Sequence, residues 1–297
     1  MSGLRFCIVV LSYNHPELTA RAVQSARAFL KEDVILVHNG SEKKHLELLQ
    51  QMFTEVHHEV LAVNQGYAGG VNAGFHAAIN RGYDWIFLLT NDCEIKRLEV
   101  PSKLSPSQVA PLVHRRKQGK TDSIGACFTP ARGKLHHLQN GDEFKTLVQA
   151  ALKTYELKKG PPAKIPYIPG SAFWIHREVI EQVGVMDERL GTYWDDVDYS
   201  ARILEKGLPL LYQAESEVVH QVGKTTYKLA LYTTYFFQRN RRVISRRHVG
   251  RSWPLRVQLW WTLQTSAATV AARFLLNRDF KRLSLFSKAL KDADRFK

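Results

Sequence analysis

The chain has 297 residues, 44% of them hydrophobic and 24% charged, which excludes a disordered chain, a collagen-like repeat and a polytopic membrane protein. Its three cysteines, Cys7, Cys93 and Cys127, have no paired spacing; this excludes a disulfide scaffold and a Cys-based zinc site and fits a reducing compartment. The net charge of +14 is uneven: residues 239–297 hold 15 Lys/Arg against 3 Asp/Glu, and residues 1–238 hold 27 against 25.

Residues 1–5 run straight into the apolar stretch Phe6–Leu11 without a basic leader or a small-residue cleavage site, so no signal peptide is expected. That stretch has the length of a buried strand. A helix is predicted over Pro16–Leu30, a strand over Asp33–His38, a helix over Lys43–Phe53 and an edge strand over Val56–Ala62. Then come a helix over Gly69–Arg81, rich in small residues, and a fully apolar strand over Trp85–Thr90. Strands alternating with helices imply βαβ units and a largely parallel sheet.

Residues 98–165, rich in Pro, Lys and His, yield only one predicted strand, Ile124–Thr129. A strand is predicted over Ile165–His176 and a short helix over Arg177–Val183, closed by Gly184. A helix over Val197–Glu205, a strand over Leu208–Gln213 and continuous helix from Thr225 complete the pattern.

Ligands of parallel α/β sheets bind at the carboxyl ends of the strands. Four such ends here carry small polar residues: Ser12-Tyr13-Asn14, Asn39-Gly40-Ser41, the segment from Asn64 to Gly74, and Asn91-Asp92-Cys93-Glu94. Local turn chemistry accounts for one such end; four on one edge favour a polar ligand. The dinucleotide fingerprint is missing, because no glycine follows the first strand and the glycines at 66–74 have the wrong spacing. Those glycines can admit an anion to a helix start or simply permit close helix–sheet packing.

Asp92, at a strand end, suits a hard divalent cation. Tyr193-Trp194-Asp195-Asp196-Val197-Asp198-Tyr199 places three carboxylates just before a helix. Capping explains part of that; two adjacent acids behind two aromatics suggest a base beside sugar-stacking rings. His220 stands alone at a strand end. The pairs His57-His58 and His136-His137 have no partners at metal-ligand spacing and are expected at the surface.

The order of these motifs, with Pro169–Glu178, Met186-Asp187-Glu188 and a later His220-x-x-Gly223, resembles the family-2 glycosyltransferases of GT-A fold over roughly residues 5–225. It is similar to the bacterial rhamnosyl- and galactofuranosyl-type transferases. The resemblance implies an α/β, Rossmann-like, mostly parallel sheet flanked by helices, with a catalytic domain over 1–230 and a basic helical extension over 231–297. It implies an inverting hexosyl- or deoxyhexosyltransferase that uses a nucleotide-diphosphate sugar and Mg2+ or Mn2+, in bacterial cell-surface polysaccharide synthesis. By position, Ser12, Asn14, Asn39, Asn64, Gly70, Asn72 and Asn91 would bind the donor, although relatives often carry Asp at position 39. Asp92 and His220 would hold the metal, in an element where Thr90 replaces the usual Asp or Asn. Asp195 and Asp196 match the acidic pair that supplies the base, with Asp196 the chosen base; Tyr193 and Trp194, with the Pro169–Trp174 segment, would position a glycan or lipid-linked acceptor.

Two alternatives remain at this level: a nucleotidyltransferase-type nucleotide enzyme, which would not need the acidic pair, and a nucleic-acid binder using the basic tail. Trp253, Trp260, Trp261 and Phe274 fall in an apolar helical pattern rather than one of exposed stacking rings, so no nucleic acid is expected. The stripe Trp260, Leu263, Ala267, Val270 and Phe274, flanked by Arg239-Asn240-Arg241-Arg242, Arg246-Arg247 and Lys281-Arg282, predicts an in-plane helix on an anionic membrane. The protein is therefore expected in the cytoplasm, peripheral to the inner face of the cytoplasmic membrane. Packing on the catalytic body or in a homo-oligomer would use the same stripe.

Overall fold

The computed structural model describes residues 3–31, 33–115, 121–123, 126–132, 134–137, 163–221 and 230–296. The first half is the expected alternation: β1 (Phe6–Ser12), α1 (Pro16–Arg27), β2 (Val34–Asn39), α2 (Lys43–Met52), β3 (His57–Leu61), α3 (Gly66–Asn80) and β4 (Trp85–Thr90). β1 lies between β2 and β4, parallel to both, and β3 closes the edge parallel to β2. Side chains of β1 alternate between two cores: Cys7, Val9 and Leu11 pack with α3, whereas Ile8 and Val10 pack with α1. Burial on both faces is why β1 reads as an unbroken apolar run.

α3 starts three residues earlier than expected and lies close on the sheet. A Cβ on Gly70 would stand 2.5 Å from the Leu11 side chain, so Gly70 is needed for this approach. The expected surface pair His57-His58 is divided: His58 Nδ1 meets the buried His38 Nε2 at 2.8 Å with the rings stacked, and His57 stays half-exposed. His136 and His137 lie in β9, and nothing is described of their side chains.

Beyond β4 the sheet turns mixed. β5 (Cys93–Arg97) and β6 (Gln108–Arg115) were not foreseen. The sheet continues through β7 (Thr121–Ser123), paired with β6, while β8 (Ala126–Thr129) and β9 (Lys134–His137) form a separate two-stranded sheet. Residues 124 and 125 of the strand expected there lie outside the described residues. Of the strand expected over 165–176 only β11 (Ala172–His176) forms; β10 (Ala163–Lys164) precedes that range, and Pro169-Gly170 lies in the loop between the two. β11 is antiparallel to both β4 and β6.

α4 (Arg177–Val183) ends at Gly184 with φ 82°, as expected. α5 (Asp195–Glu205) begins two residues earlier than predicted. β12 (Leu210–His220) is 11 residues long rather than ending at 213; it pairs with β6 on both sides of an irregularity between Gln213 and Glu217, and its second half also pairs with β5. This irregularity breaks the period-two pattern and hid the second half of the strand. The main sheet runs β10-β12-β6-β11-β4-β1-β2-β3.

The C-terminal extension is α6 (Ala230–His248), α7 (Trp253–Leu276) and α8 (Phe280–Arg295); residues 225–229 of the expected helix lie outside the described residues. Val243 and Ile244 of α6 and Ala293 of α8 share a buried cluster with Tyr167, Leu190, Trp194 and Val197 of the body. The predicted stripe of α7 is divided between packed and exposed residues. Leu263 of the stripe packs inward, with Leu259, on Ala131 and Val249, and Phe274 meets Phe286 edge-on. Trp253, Trp260 and Trp261 are 73%, 53% and 60% exposed, so the apolar pattern in which they fall does not bury them.

Candidate active site

The polar strand ends do gather along one edge, and most of their hydrogen-bonding capacity is used within the protein. Ser12 is buried, with its hydroxyl 2.9 Å from Thr19 Oγ1 at the foot of α1. Asn91 Nδ2 donates to Thr19 Oγ1 and to the Asn14 carbonyl. Asn14, in a left-handed conformation, accepts from Glu42 N at 3.1 Å. Asn39 Nδ2 donates to Gly66 O at 2.7 Å and its Oδ1 accepts from Gln65 N at 2.9 Å, which fixes the start of α3. Asn64 Oδ1 accepts from Gly66 N. Asn72, 1% exposed, donates to Met186 O and Glu188 Oε1 and accepts from Met186 N, fastening α3 to the Met186–Glu188 turn. Among these positions Asn39 and Asn72 are framework groups whose amides already hold backbone.

Asp92 and His220, 128 residues apart in sequence, are brought together because β12 pairs with β5. His220 Nε2 lies 3.2 Å from Asp92 Oδ2, and Thr90 Oγ1 donates to Asp92 Oδ1 at 2.7 Å. Burial alone would raise the Asp92 carboxyl, but the His220 contact and the Thr90 hydroxyl outweigh it and hold it below the usual range. Cys93 completes a cluster in which ligand atoms of Asp92, Cys93 and His220 lie within 4.8 Å of one another. Thr90, which departs from the family pattern, orients the carboxylate instead of adding a second one.

The acidic pair occupies the first turn of α5. Two consecutive left-handed residues, Tyr193 (φ 63°) and Trp194 (φ 69°), turn the chain into that helix. Asp196 Oδ2 accepts from Tyr167 Oη at 2.5 Å and from Gly170 N at 3.1 Å, while its Oδ1 accepts from Val197 N at 2.9 Å. Asp195 is 4% exposed, and its Oδ2 has no hydrogen-bond partner among the described residues. Burial, then the Asp196 carboxylate, push Asp195 well above the ordinary carboxylate range. Asp198 is different again: Arg202 Nε, Arg247 Nη1 and His248 Nε2 surround it at 2.9, 2.7 and 3.0 Å. That third acid is a structural tie between α5 and α6.

The two centres are joined by the loop before β11. Gly170 N holds Asp196, the neighbouring Ser171 carbonyl accepts from Thr90 N at 3.0 Å, and the Thr90 hydroxyl holds Asp92. Tyr67 donates to Gly170 O at 2.5 Å from the α3 side. Burial, then the charges of Asp195 and Asp196, raise the Tyr67 phenol well above its usual range, keeping it a donor. Tyr167 and Tyr67 were not foreseen; they sit in segments that read as ordinary strand and helix start.

Of the two expected acceptor rings, Tyr193 is partly exposed, with its hydroxyl 3.0 Å from Thr233 Oγ1. Trp194 is corrected: at 5% exposure it packs against Phe237 and the α6 face and presents no open ring to a sugar. α6 itself supplies the support that the sequence did not reveal. Asn240 Nδ2 donates to the carbonyls of Leu190, Thr192 and Tyr193 at 2.9, 2.9 and 2.7 Å, and Arg239 Nη2 donates to those of Arg189 and Leu190. An Asn inside an arginine run was the signal available.

Residues 7–184 match the family described as Glycosyl transferase family 2. The chain belongs to this family. That membership sets aside the nucleotidyltransferase and nucleic-acid-binder alternatives. The family match ends before Tyr193, the acidic pair and His220. Two curated relatives are the N-acetylglucosaminyl-diphospho-decaprenol L-rhamnosyltransferases of Mycobacterium tuberculosis strains CDC 1551 / Oshkosh and ATCC 25618 / H37Rv. Each is 32% identical over 123 residues, 38% of this chain and 37% of the relative. The chain thus matches little more than a third of the length of either relative.

Solved structures share the fold at low identity. GalNAc-T7 with UDP, GalNAc and Mn2+ superposes with a TM-score of 0.54 at 18% identity, over 91% of this chain and 58% of that one. The mannosyltransferase PcManGT from Pyrobaculum calidifontis, in complex with GDP-Man and Mn2+, gives 0.53 at 15% identity, over 100% and 88%. S. aureus TarS gives 0.53 at 10% identity, over 91% and 44%. The family-2 chain therefore has the GT-A fold with a C-terminal helical extension, as the sequence resemblance implied.

Proposed function

We propose that this chain transfers a hexosyl or deoxyhexosyl group from a nucleotide-diphosphate sugar to an acceptor hydroxyl with inversion at the anomeric carbon. The observation that carries this reading is the chain of hydrogen bonds Asp196–Gly170, Ser171–Thr90 and Thr90–Asp92–His220, joined by the Gly170–Ser171 peptide bond. It fixes a candidate proton acceptor relative to a candidate cation site, which is what displacement of a diphosphate requires.

In this reading Asp196 takes the proton of the attacking hydroxyl. Asp195 beside it, raised by burial and by the Asp196 charge, is the more readily protonated member of the pair. Tyr167 and the Gly170 amide keep the Asp196 carboxylate oriented, and Tyr193 borders the acceptor side. Asp92 and His220 are the residues that would hold a divalent cation, with Cys93 next to them. A carboxylate and an imidazole fit Mn2+ better than Mg2+, which prefers an all-oxygen shell. When bound, such a cation neutralises charge on the leaving diphosphate. Ser12, Asn14, Asn64 and Asn91 border the nucleoside end, and Asn39, Gly70 and Asn72 shape it through α3.

The mycobacterial relatives' name supports a lipid-linked diphosphate sugar as acceptor, hence polysaccharide synthesis at the inner face of the cytoplasmic membrane. Among the described residues no helix is long and apolar enough to cross a membrane. A peripheral attachment through α7 suits such an acceptor. The deciding experiment is a panel of nucleotide sugars with Mn2+, scored for thermal stabilisation and for release of free nucleoside diphosphate. Stabilisation and release that both require Asp92 are expected; release of pyrophosphate, or indifference of every donor to Mn2+, would refute the reading.

A further inference from the structure

The extension contains a cleft of about 260 Å³ between α6 and α7, lined by Arg242, Arg246, Arg256, Val249, Trp260 and Gln264 with the leucines beneath. Arginines rarely gather round one space without an anion, because their like charges repel. Two of them have partial outlets: Arg246 pairs with the exposed Asp294 at 2.7 Å, and Arg256 Nε donates to Gly250 O at 3.1 Å. Arg242 does not. It is 6% exposed, and its Nε has no hydrogen-bond partner among the described residues. A buried guanidinium with an unused donor, beside two more guanidiniums, is a built receptor for a planar or tetrahedral oxyanion.

The surroundings specify where that anion comes from. On the outer side of α7, Trp253, Leu255, Val257, Trp260, Trp261, Leu275 and Leu276 are all at least 42% exposed. Stacked bases could cover the tryptophans but would leave the aliphatic chains in water; a bilayer interface covers both. Tryptophan belongs at the headgroup level, where its ring is half in hydrocarbon and half in water. Trp260 lies in both the cleft lining and the exposed face, so the anion and the apolar surface meet at one residue.

We propose that this cleft binds the phosphate of an anionic phospholipid headgroup while the outer face of α7 enters the interface. Arg242 forms the floor of the site and Arg256 its rim. The proposal does not depend on the transferase reading.

The test is flotation of the full-length protein with phosphatidylcholine vesicles, with and without phosphatidylglycerol. Binding that requires phosphatidylglycerol is expected. Near an anionic surface one arginine is worth about fivefold in affinity, so Arg242→Gln with Arg256→Gln should lose more than about tenfold. The charge-matched pair Arg251→Gln with Lys281→Gln, exposed and outside the cleft, should lose clearly less. Arg256→Gln alone, at an exposed position, guards against misfolding of the Arg242 variant and should show a several-fold loss with an unchanged melting curve. Equal losses in the two double variants would overturn the site in favour of diffuse charge attraction. Stabilisation by inorganic phosphate or glycerol phosphate without vesicle binding would overturn the lipid assignment, and so would binding to single-stranded oligonucleotides in place of vesicles.

Discussion

The sheet body and the helical extension sort their side chains in opposite ways. In the body, apolar strands fill two cores and the polar residues collect at the strand ends. In the extension, Arg239, Asn240, Arg242 and Ser245 are buried, whereas three tryptophans and several aliphatic chains face outward. A buried polar group is tolerated only if it is hydrogen-bonded, and Arg239 and Asn240 satisfy that by clamping the carbonyls of 189–193. The inner side of the extension holds the loop that leads into the acid pair, and its outer side is the apolar face proposed above to meet a membrane.

The largest expected effect lies in the body. Asp196→Asn should lower turnover by roughly 10²–10⁴-fold with nucleotide-sugar affinity nearly intact, because a general base acts on the hydroxyl alone. Steady-state rates together with donor titration check it; normal turnover would remove Asp196 from the chemistry, and a selective loss in Asp195→Asn would move the role to its neighbour.

Next, Asp92→Ala should abolish the response of donor affinity to Mn2+, measured by calorimetry, and activity should stop in excess EDTA. Full activity without any divalent cation would count against the Asp92–His220 site.

At the seam between the regions, Asn240→Ala should destabilise the fold by about 2–4 kcal/mol by leaving buried carbonyls unpaired. Activity should fall with it, since the same loop leads into Asp195 and Asp196. Asn240→Asp, which turns acceptors toward those carbonyls, should be worse than Ala in a denaturant melt. If both variants melt like wild type, α6 does not support the loop.

Acid should loosen the same seam. Asp187, bonded to Arg189 and Arg247, has its carboxyl lowered to about 2: burial opposes the shift, but the two guanidiniums outweigh it. A depressed carboxylate contributes stability above its unfolded value near 4, and that contribution is lost as pH falls toward 2. His38, lowered to about 4 by burial and by His58, acts earlier, since the unfolded chain takes up that proton between about pH 6.5 and 4. Two stages of acid weakening are therefore expected in melts against pH, the first reduced in His38→Gln.

The smallest effect sharpens the contrast most. Trp261→Ser, on the outer face, should change stability by less than about 0.5 kcal/mol, as surface substitutions do. A large destabilisation would mean that this ring is buried by contacts within the folded chain.

Much of the body was legible because its signals are local. β1 to β4 are apolar runs with polar ends, and the acidic pair announces a helix start. The rest depends on distant pairing. β6 carries Pro111 and β12 is irregular in its middle, so neither shows a clean period. His220 is marked as a site residue only by the family resemblance; its own spacing says nothing until β12 lies beside β5. Trp194 reads as an exposed ring until α6 covers it, and Asn240 reads as one more polar residue in a basic run. On α7 the periodicity marked one apolar stripe, but two sides of the helix are apolar, and the pattern alone does not say which is covered.

The consecutive left-handed residues Tyr193 and Trp194 carry a further consequence. Each such non-glycine residue is disfavoured by about 1–2 kcal/mol, so the corner ahead of α5 is a place where the chain works against its own preferences. Glycine would relax the backbone there, yet it would remove the ring that Phe237 and Val243 pack around. Evolutionary drift or engineering toward a more stable protein thus meets two opposed gradients at one corner. Variants that gain thermal tolerance by softening it should do so at the expense of how firmly α5 is aimed.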